Sequence, residues 1–105
     1  MRRKDLKLKK IANSIIASAN PDKIILFGSR ASGKQKRESD YDILVLKKYL
    51  KNSNILSKKI YLNLKIPVSV DILVTTPSRY NKLKDKWFFV YYDIHKSGQV
   101  IYEKQ

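Results

Sequence analysis

Residues 23–46 read KIILFGSRASGKQKRESDYDILVL, with two apolar runs separated by a glycine-bracketed turn and a polar, basic loop. The first run, residues 23–27, is short and continuous and ends at Gly28, as is typical of a buried strand. The second run, residues 40–46, alternates between two faces, with Asp40, Asp42, Leu44 and Leu46 on one and Tyr41, Ile43 and Val45 on the other. The stretch therefore predicts a strand, a tight turn and a second strand that carries two carboxylates.

Three aspartates stand in or beside apolar runs, in a chain with only 9 Asp and Glu. Asp40 and Asp42 are two residues apart on the predicted second strand, so their side chains point the same way about 7 Å apart. Asp71 lies in the apolar run 68–74, VSVDILV, and converges with them if that run forms the neighbouring strand. Oxygen-only ligand sets suit Mg²⁺, and a pair of such ions supports phosphoryl transfer.

Each aspartate also has a purely structural interpretation. Asp40 and Asp42 could begin a strand in solvent, and Asp71 could form an ion pair with a lysine. However, a carboxylate inside an otherwise uncharged apolar run is costly unless it is paired, hydrogen-bonded or bound to metal. The combined pattern therefore favours a catalytic metal site.

The turn at residues 28–33, GSRASG, is suited to an anion. Gly28 follows a strand and lets the backbone approach a phosphate, because no Cβ intervenes. Ser29 offers a hydroxyl and a backbone N–H, and Arg30 offers a fork of donors. A Gly-Ser turn alone is weak evidence, but this one precedes two carboxylates, so we expect a nucleotide-binding turn made of Gly28, Ser29, Arg30 and Gly33.

The rest of the chain completes a mixed pattern. It predicts an amphipathic helix over 4–19, a second helix over 50–65, a strand over 68–74, a final helix from the N-cap Thr76 to about residue 96, and an optional edge strand over 99–102. The expected fold class is α/β (α+β), with three to four strands and the helices between them. The 105 residues suffice for a single domain, 1–105.

Residues 87–92, WFFVYY, hold five aromatic side chains within the predicted final helix. A helix would arrange them in two stripes, Trp87, Tyr91 and Ile94 in one and Phe88 and Tyr92 in the other. The stripes can cover the sheet and the first helix, or one can dock a partner. His95, the single histidine, has no second histidine or cysteine to share a metal with, so we expect it at the surface.

Composition limits the classes of protein to consider. The formal charge is +14, from 23 Lys and Arg, which attracts polyanions such as nucleotides, although a lysine-rich composition alone gives the same excess. There is no cysteine, which fits a reducing cytoplasm and excludes thiolate chemistry. No apolar run approaches the ~20 residues that cross a bilayer, so we expect a cytoplasmic protein without a membrane partner.

The run Gly28-Ser29, then Gly33, then Ser39-Asp40-Tyr41-Asp42 resembles the signature of the polymerase β nucleotidyltransferase superfamily. That signature is Gly-Ser, a short helix, Asp-x-Asp on the next strand and a third carboxylate on a later strand, where Asp71 stands. The short length and the Gly-Ser-Arg-Ala-x-Gly form look most like the minimal nucleotidyltransferase (MNT) branch. The resemblance covers about residues 5–103.

The resemblance implies a polymerase β-type fold, with a small mixed sheet of three to four strands backed by helices. It also implies a nucleotidyltransferase that uses ATP and two Mg²⁺ ions. Gly28 and Ser29 would hold the triphosphate, Asp40 and Asp42 would ligate the metals, and Asp71 would ligate one metal and help deprotonate the acceptor hydroxyl. Many members carry Arg before the second glycine, where this chain has Ser32. The cations that could replace that phosphate contact are Arg30, Lys34, Lys36 and Arg37.

The resemblance also implies a partner. Proteins of this branch commonly pair with a small helical HEPN toxin, and some neutralise it by transferring AMP to one of its tyrosines. We therefore expect an antitoxin that acts as a protein adenylyltransferase. One alternative is an antitoxin that neutralises its partner by binding alone. Another is a basic RNA-binding module, which is less favoured because the acidic cluster would repel phosphate without metal.

Overall fold

The computed structural model describes residues 5–34 and 40–105. In chain order, these ranges contain α1 (Leu6–Ala19), β1 (Lys23–Phe27), α2 (Ser29–Ser32), β2 (Tyr41–Leu46), α3 (Ser53–Asn63), β3 (Val70–Thr75), α4 (Pro77–Leu83), α5 (Val90–Ser97) and β4 (Gln99–Glu103). The predicted mixed fold is confirmed, and the optional last strand is present.

The strands form one mixed sheet in the order β3-β2-β1-β4. β1 pairs antiparallel with both β2 and β4, whereas β2 and β3 run parallel. A parallel pair needs a crossover connection, and α3 lies in the connection from β2 to β3. β3 and β4 are the edge strands.

The alternation of β2 divides the core into two layers, as the sequence predicts. One layer buries Ile43 and Val45 with the apolar stripe of α1 and with Ile60 of α3. The opposite layer buries Leu44 and Leu46 with residues of α4 and α5, among them Tyr80, Leu83, Tyr91 and Ile94. The carboxylates predicted to share a face with Leu44 therefore belong to the α4–α5 side of the sheet.

The ends of the helices follow from local capping. Asp5 accepts a hydrogen bond from the Leu8 N–H at the start of α1, and Asn20 adopts a left-handed conformation at its end. Asn52 caps α3, so that helix occupies residues 53–63 within the predicted 50–65. β3 begins two residues later than the predicted strand 68–74 and ends at Thr75. Residue 4 of the predicted first helix lies outside the described residues.

The prediction of one continuous final helix is wrong. The chain forms α4, then turns over residues 84–89, then forms α5. A helix of 20 residues would be about 30 Å long, well beyond the ~17–20 Å of these short strands. The break lets both short helices stay over the sheet and keeps Trp87 and Phe88 out of any helical stripe.

No helix in the described ranges combines the length and the apolar character needed to cross a membrane.

The core beneath β2 should carry a large share of the stability. Ile43 is fully buried, so Ile43→Ala should lower the free energy of unfolding by about 2–5 kcal/mol in urea titrations. Ile55→Ala provides the matched control, because Ile55 is 67% exposed and its truncation should change stability by less than about 0.5 kcal/mol. Similar losses in the two variants would contradict this description of the core.

Candidate metal and nucleotide site

Three side chains line up in register across the sheet. Phe27 of β1 is paired with Asp42 of β2, and Asp42 is paired with Asp71 of β3. Neighbouring strands of a sheet lie about 4.7–4.9 Å apart, so the two carboxylates in register lie side by side. The next row on the same face is apolar and contains Ile25, Leu44 and Leu73. The two acidic groups therefore stand at the end of an otherwise apolar surface.

Asp42 is the more constrained of the two carboxylates. It is half-buried, and burial is the main cause that raises its pKa, followed by the negative charges of Asp71 and Asp40. Among the described residues, no lysine or arginine forms an ion pair with Asp42 or Asp71, and the salt bridge present joins Lys23 to Glu103. The repulsion between the carboxylates is thus not relieved by a described side chain, and a bound cation would relieve it.

Asp71 is exposed, which the sequence did not predict. Its apolar neighbours suggested a buried carboxylate, but β3 is an edge strand and the end of it that carries Asp71 faces solvent. The structural alternative of an ion pair with a lysine is also not realised within the described ranges. Exposure leaves the Asp71 carboxylate accessible to a ligand that enters from solvent.

Asp40 lies just before β2 and is exposed. It is close enough to raise the pKa of Asp42, yet no three acidic or imidazole side chains of the described ranges come together as a ready-made metal site. The geometry therefore offers a pair, Asp42 and Asp71, with Asp40 beside it. Such a set fits Mg²⁺, which is usually held by one or two carboxylates and completes its shell with water and substrate phosphates.

Gly28 brings the predicted turn against this pair. Its φ of 74° and ψ of −155° belong to a region that is essentially restricted to glycine. A Cβ at Gly28 would collide with the Asp42 Oδ2 atom. The backbone of the turn therefore passes directly beside the Asp42 carboxylate, so a phosphate held by this turn would lie close to Asp42.

The turn continues into α2, a single helical turn. The N–H groups of Ala31 and Ser32 both donate to the Gly28 carbonyl at 3.2 Å. Gly33 ends the helix in a left-handed conformation, with a φ of 78°. Ser29, its first residue, is half-buried beside Gly28. The predicted short helix after Gly-Ser is therefore present.

Arg30 is placed differently from the other predicted nucleotide ligands. Its guanidinium lies 3.9 Å from the centre of the Tyr41 ring, and the Tyr41 hydroxyl donates to Asp5 Oδ1 at 3.2 Å. Because residues alternate along β2, Tyr41 faces the side opposite to Asp42. Arg30 thus ties the turn to the α1 side of the sheet, and phosphate contact by Arg30 remains a prediction.

The other cations that could contact the phosphate follow Gly33 in the chain. Lys34 is exposed at the end of a described range. Lys36 and Arg37, proposed as substitutes for the missing arginine, and Ser39 of the motif lie outside the described residues. His95 is exposed and stacks edge-on against Tyr80, with ring centres 6.5 Å apart.

An open cleft of about 240 Å³ lies against the carboxylates. Its lining consists of Phe27, Asp42, Asp71, Ile72 and Leu73. The sequence predicts the two aspartates as site residues but not the apolar walls of the cleft. Phe27 could have been suggested by its place directly before Gly28, whereas Leu73 becomes a wall only through the pairing of β3 with β2.

Two further side chains hold the backbone around the site. The Tyr61 hydroxyl accepts the outward-facing N–H of Ile72, next to Asp71, at 2.7 Å. The Gln99 amide donates from Nε2 to the Ala31 carbonyl at 2.7 Å. Both contacts join separate elements, and no local sequence signal marks either residue.

The chain as a whole is similar to known proteins. Residues 9–105 match the family model described as polymerase beta, nucleotidyltransferase. No match is found among curated proteins.

Two solved structures share the fold. One is a chain from a toxin–antitoxin complex with AMP-PNP, 25% identical, with a TM-score of 0.62 and coverage of 95% of this chain and 76% of that one. The other is a candidate nucleotidyltransferase from Sulfolobus solfataricus, 23% identical, with a TM-score of 0.67 and coverage of 94% and 80%. Because the family model spans nearly the whole chain, this protein belongs to the polymerase β nucleotidyltransferase superfamily and is of the minimal nucleotidyltransferase type.

Proposed function

We propose that the protein is a Mg²⁺-dependent nucleotidyltransferase that transfers AMP from ATP to a hydroxyl group of a partner protein. The observation that carries this proposal is the pairing of Asp42 with Asp71 beside the Gly28 turn. A metal-binding pair and a backbone that can lie against phosphate are the two parts that nucleotidyl transfer requires.

Each of the proposed site residues has its own role in such a transfer. Gly28 and Ser29 hold the triphosphate, while Asp40, Asp42 and Asp71 are the ligands for Mg²⁺. The ion, when bound, supplies positive charge that favours the attacking oxygen and the leaving pyrophosphate. Asp71, the exposed carboxylate, takes part in removing the proton of an acceptor that enters from solvent.

The bond changes balance without another reactant. The acceptor oxygen attacks the α-phosphorus of ATP, and the bond from that phosphorus to the bridging oxygen of pyrophosphate breaks. The acceptor proton passes through the Asp71 carboxylate to solvent. The products are an AMP ester of the acceptor and free pyrophosphate.

The acceptor that we propose is a tyrosine of a HEPN-type toxin, which makes this protein the antitoxin of a HEPN/MNT pair. A similar fold occurs in a toxin–antitoxin complex solved with AMP-PNP, which supports both a toxin partner and an adenine nucleotide. The open cleft has apolar walls at Phe27 and Leu73, which suit an aromatic acceptor side chain.

The proposal is tested by incubating the complex of this protein and its partner with α-labelled ATP and Mg²⁺, followed by intact mass measurement of both chains. We expect one or more AMP units on the partner. Label on neither protein, with the complex intact, would overturn the proposed transfer.

Asp42→Asn should abolish this transfer and leave the protein folded, because it removes a metal ligand without removing a core side chain. Asp85→Asn is the matched control, since Asp85 is exposed on the connection between α4 and α5. We expect at least a 100-fold loss of rate for the first variant and none for the second, measured as AMP incorporation. Full activity in Asp42→Asn would rule out a catalytic role for the pair.

The raised pKa of Asp42 makes a second, independent prediction. An ionised Asp42 is less favourable in the folded chain than in the unfolded chain, so its cost is present above the raised pKa and disappears as pH falls below the ordinary value. In EDTA at neutral pH, Asp42→Asn should therefore unfold at a higher urea concentration than the wild type. The difference should shrink on acidification, and a less stable variant at neutral pH would contradict it.

Gly28→Ala should impair the site through Asp42, because the added Cβ would displace its Oδ2 atom. Gly33→Ala is a matched control, since Gly33 has a similar positive φ but no atom within 4 Å of an added Cβ. Gly33→Ala should lose about 1 kcal/mol of stability through backbone strain. Gly28→Ala should lose more, because the φ and ψ of Gly28 are essentially restricted to glycine. Only Gly28→Ala should also lose the rise in melting temperature that Mg²⁺ gives the wild type, and an equal loss in both would contradict the contact.

A second candidate function is neutralisation by binding alone, and one observation favours it. Trp87 is 77% exposed and Phe88 is 65% exposed, with ring centres 5.6 Å apart, and Val90 beside them is 46% exposed. Exposed adjacent aromatics are typical anchors of protein interfaces. They lie on the break between α4 and α5 and are separate from the carboxylate pair.

The two candidates differ in which variant fails. If catalysis neutralises the toxin, Asp42→Asn should bind the toxin but fail to protect cells from it. If masking suffices, Asp42→Asn should protect, while the double variant Trp87→Ser, Phe88→Ser should lose at least 10-fold in affinity and fail. Co-expression survival and titration calorimetry of the purified complex measure the two properties separately.

A further inference from the structure

We infer that Gln99 is a positioning residue for the nucleotide-binding turn, a role that rests on the proposed function of that turn. Gln99 is the first residue of β4 and donates from Nε2 to the carbonyl of Ala31 in α2, at 2.7 Å. The two residues are 68 positions apart, so the contact joins distant parts of the chain.

α2 needs such support because it is only four residues long. A single helical turn is unstable alone, since the cost of fixing its backbone exceeds the gain from its own hydrogen bonds. Contacts with other elements hold it, among them the buried Ala31 side chain, the Arg30 stack on Tyr41 and the hydrogen bond from Gln99. The Gln99 bond is made to the backbone of α2, whereas the other two involve side chains of α2.

Gln99 is exposed, but the backbone that carries it is held in place by its surroundings. Gly98 precedes it with its N–H donating to the Ile94 carbonyl at 2.7 Å, and a Cβ at Gly98 would lie 2.8 Å from the Ile25 Cγ2 atom. The backbone between α5 and β4 is therefore packed closely against β1. Gln99 is then paired with Leu26, two residues before Gly28.

These contacts link the turn to the carboxylates. The N–H groups of Ala31 and Ser32 donate to the Gly28 carbonyl, and Gly28 in turn lies against Asp42. A donor fixed on β4 thus sets the position of α2, and α2 sets the orientation of the Gly28 backbone. Loss of the Gln99 bond should loosen the turn while Asp42 and Asp71 keep their pairing, which depends on β2 and β3 instead.

The test compares Gln99→Glu and Gln99→Met, which keep the length of the side chain but remove the amide donor. Binding of AMP-PNP with Mg²⁺ is measured by titration calorimetry, and Mg²⁺ alone by the shift in melting temperature. We expect about 3- to 10-fold weaker AMP-PNP binding, the effect of one hydrogen bond, with the response to Mg²⁺ alone unchanged. Gln105→Glu, an exposed residue beyond β4, is the matched control and should bind as the wild type does.

Amide hydrogen exchange of the nucleotide-free protein provides a readout that does not need a nucleotide. Both variants should exchange faster at residues 28–33, by a larger factor than in β2, and the urea midpoint should fall only by the small amount that the loss of one hydrogen bond causes. Unchanged amide exchange at the turn would overturn the inference. An equal increase in exchange over the whole protein would overturn it as well. A wild type that binds no AMP-PNP would refute the proposed function of the turn, and the exchange result would then decide the positioning role on its own.

Discussion

The parallel pairing of β2 with β3 places Asp42 and Asp71 side by side, and two like charges held together this closely are the constraint around which the site is built. The pairing is maintained by buried neighbours rather than by the carboxylates. Ile43, Leu44 and Val45 are fully buried on β2, and α3 supplies the crossover that a parallel pair needs. The core therefore supplies the free energy that holds two unneutralised acids together, and a bound cation would reduce that cost.

The arrangement of the helices keeps this pair accessible. α1 and α3 close one face of the sheet, whereas α4 and α5 cover only the apolar rows of the other face. The break between α4 and α5 keeps both helices short, and a cleft remains open over Asp42 and Asp71. The Gly28 backbone then fills the space beside Asp42 that a side chain would otherwise occupy.

Local sequence patterns correctly predicted the bounds of one strand and the burial of the faces of another. The alternation of residues 40–46 correctly assigned the two faces of β2, and the bounds of β1 were predicted to the residue. Properties that depend on distant contacts were missed. Asp71 looked buried from its neighbours, but it is exposed because its strand lies at the sheet edge. The hydrogen bonds of Tyr61 and Gln99 form between separate elements, so no periodicity or motif could reveal them.

The proposed role of Asp42 and Asp71 is to hold a divalent cation beside the Gly28 turn. It is tested most directly by anomalous diffraction from crystals grown with AMP-PNP and Mn²⁺, which takes the same oxygen ligands as Mg²⁺ and can be located by its own scattering. We expect an anomalous peak within coordination distance of both carboxylates, with the phosphates of AMP-PNP against Gly28 and Ser29. Bound nucleotide with no ion at Asp42 and Asp71, or with its phosphates elsewhere, would contradict it.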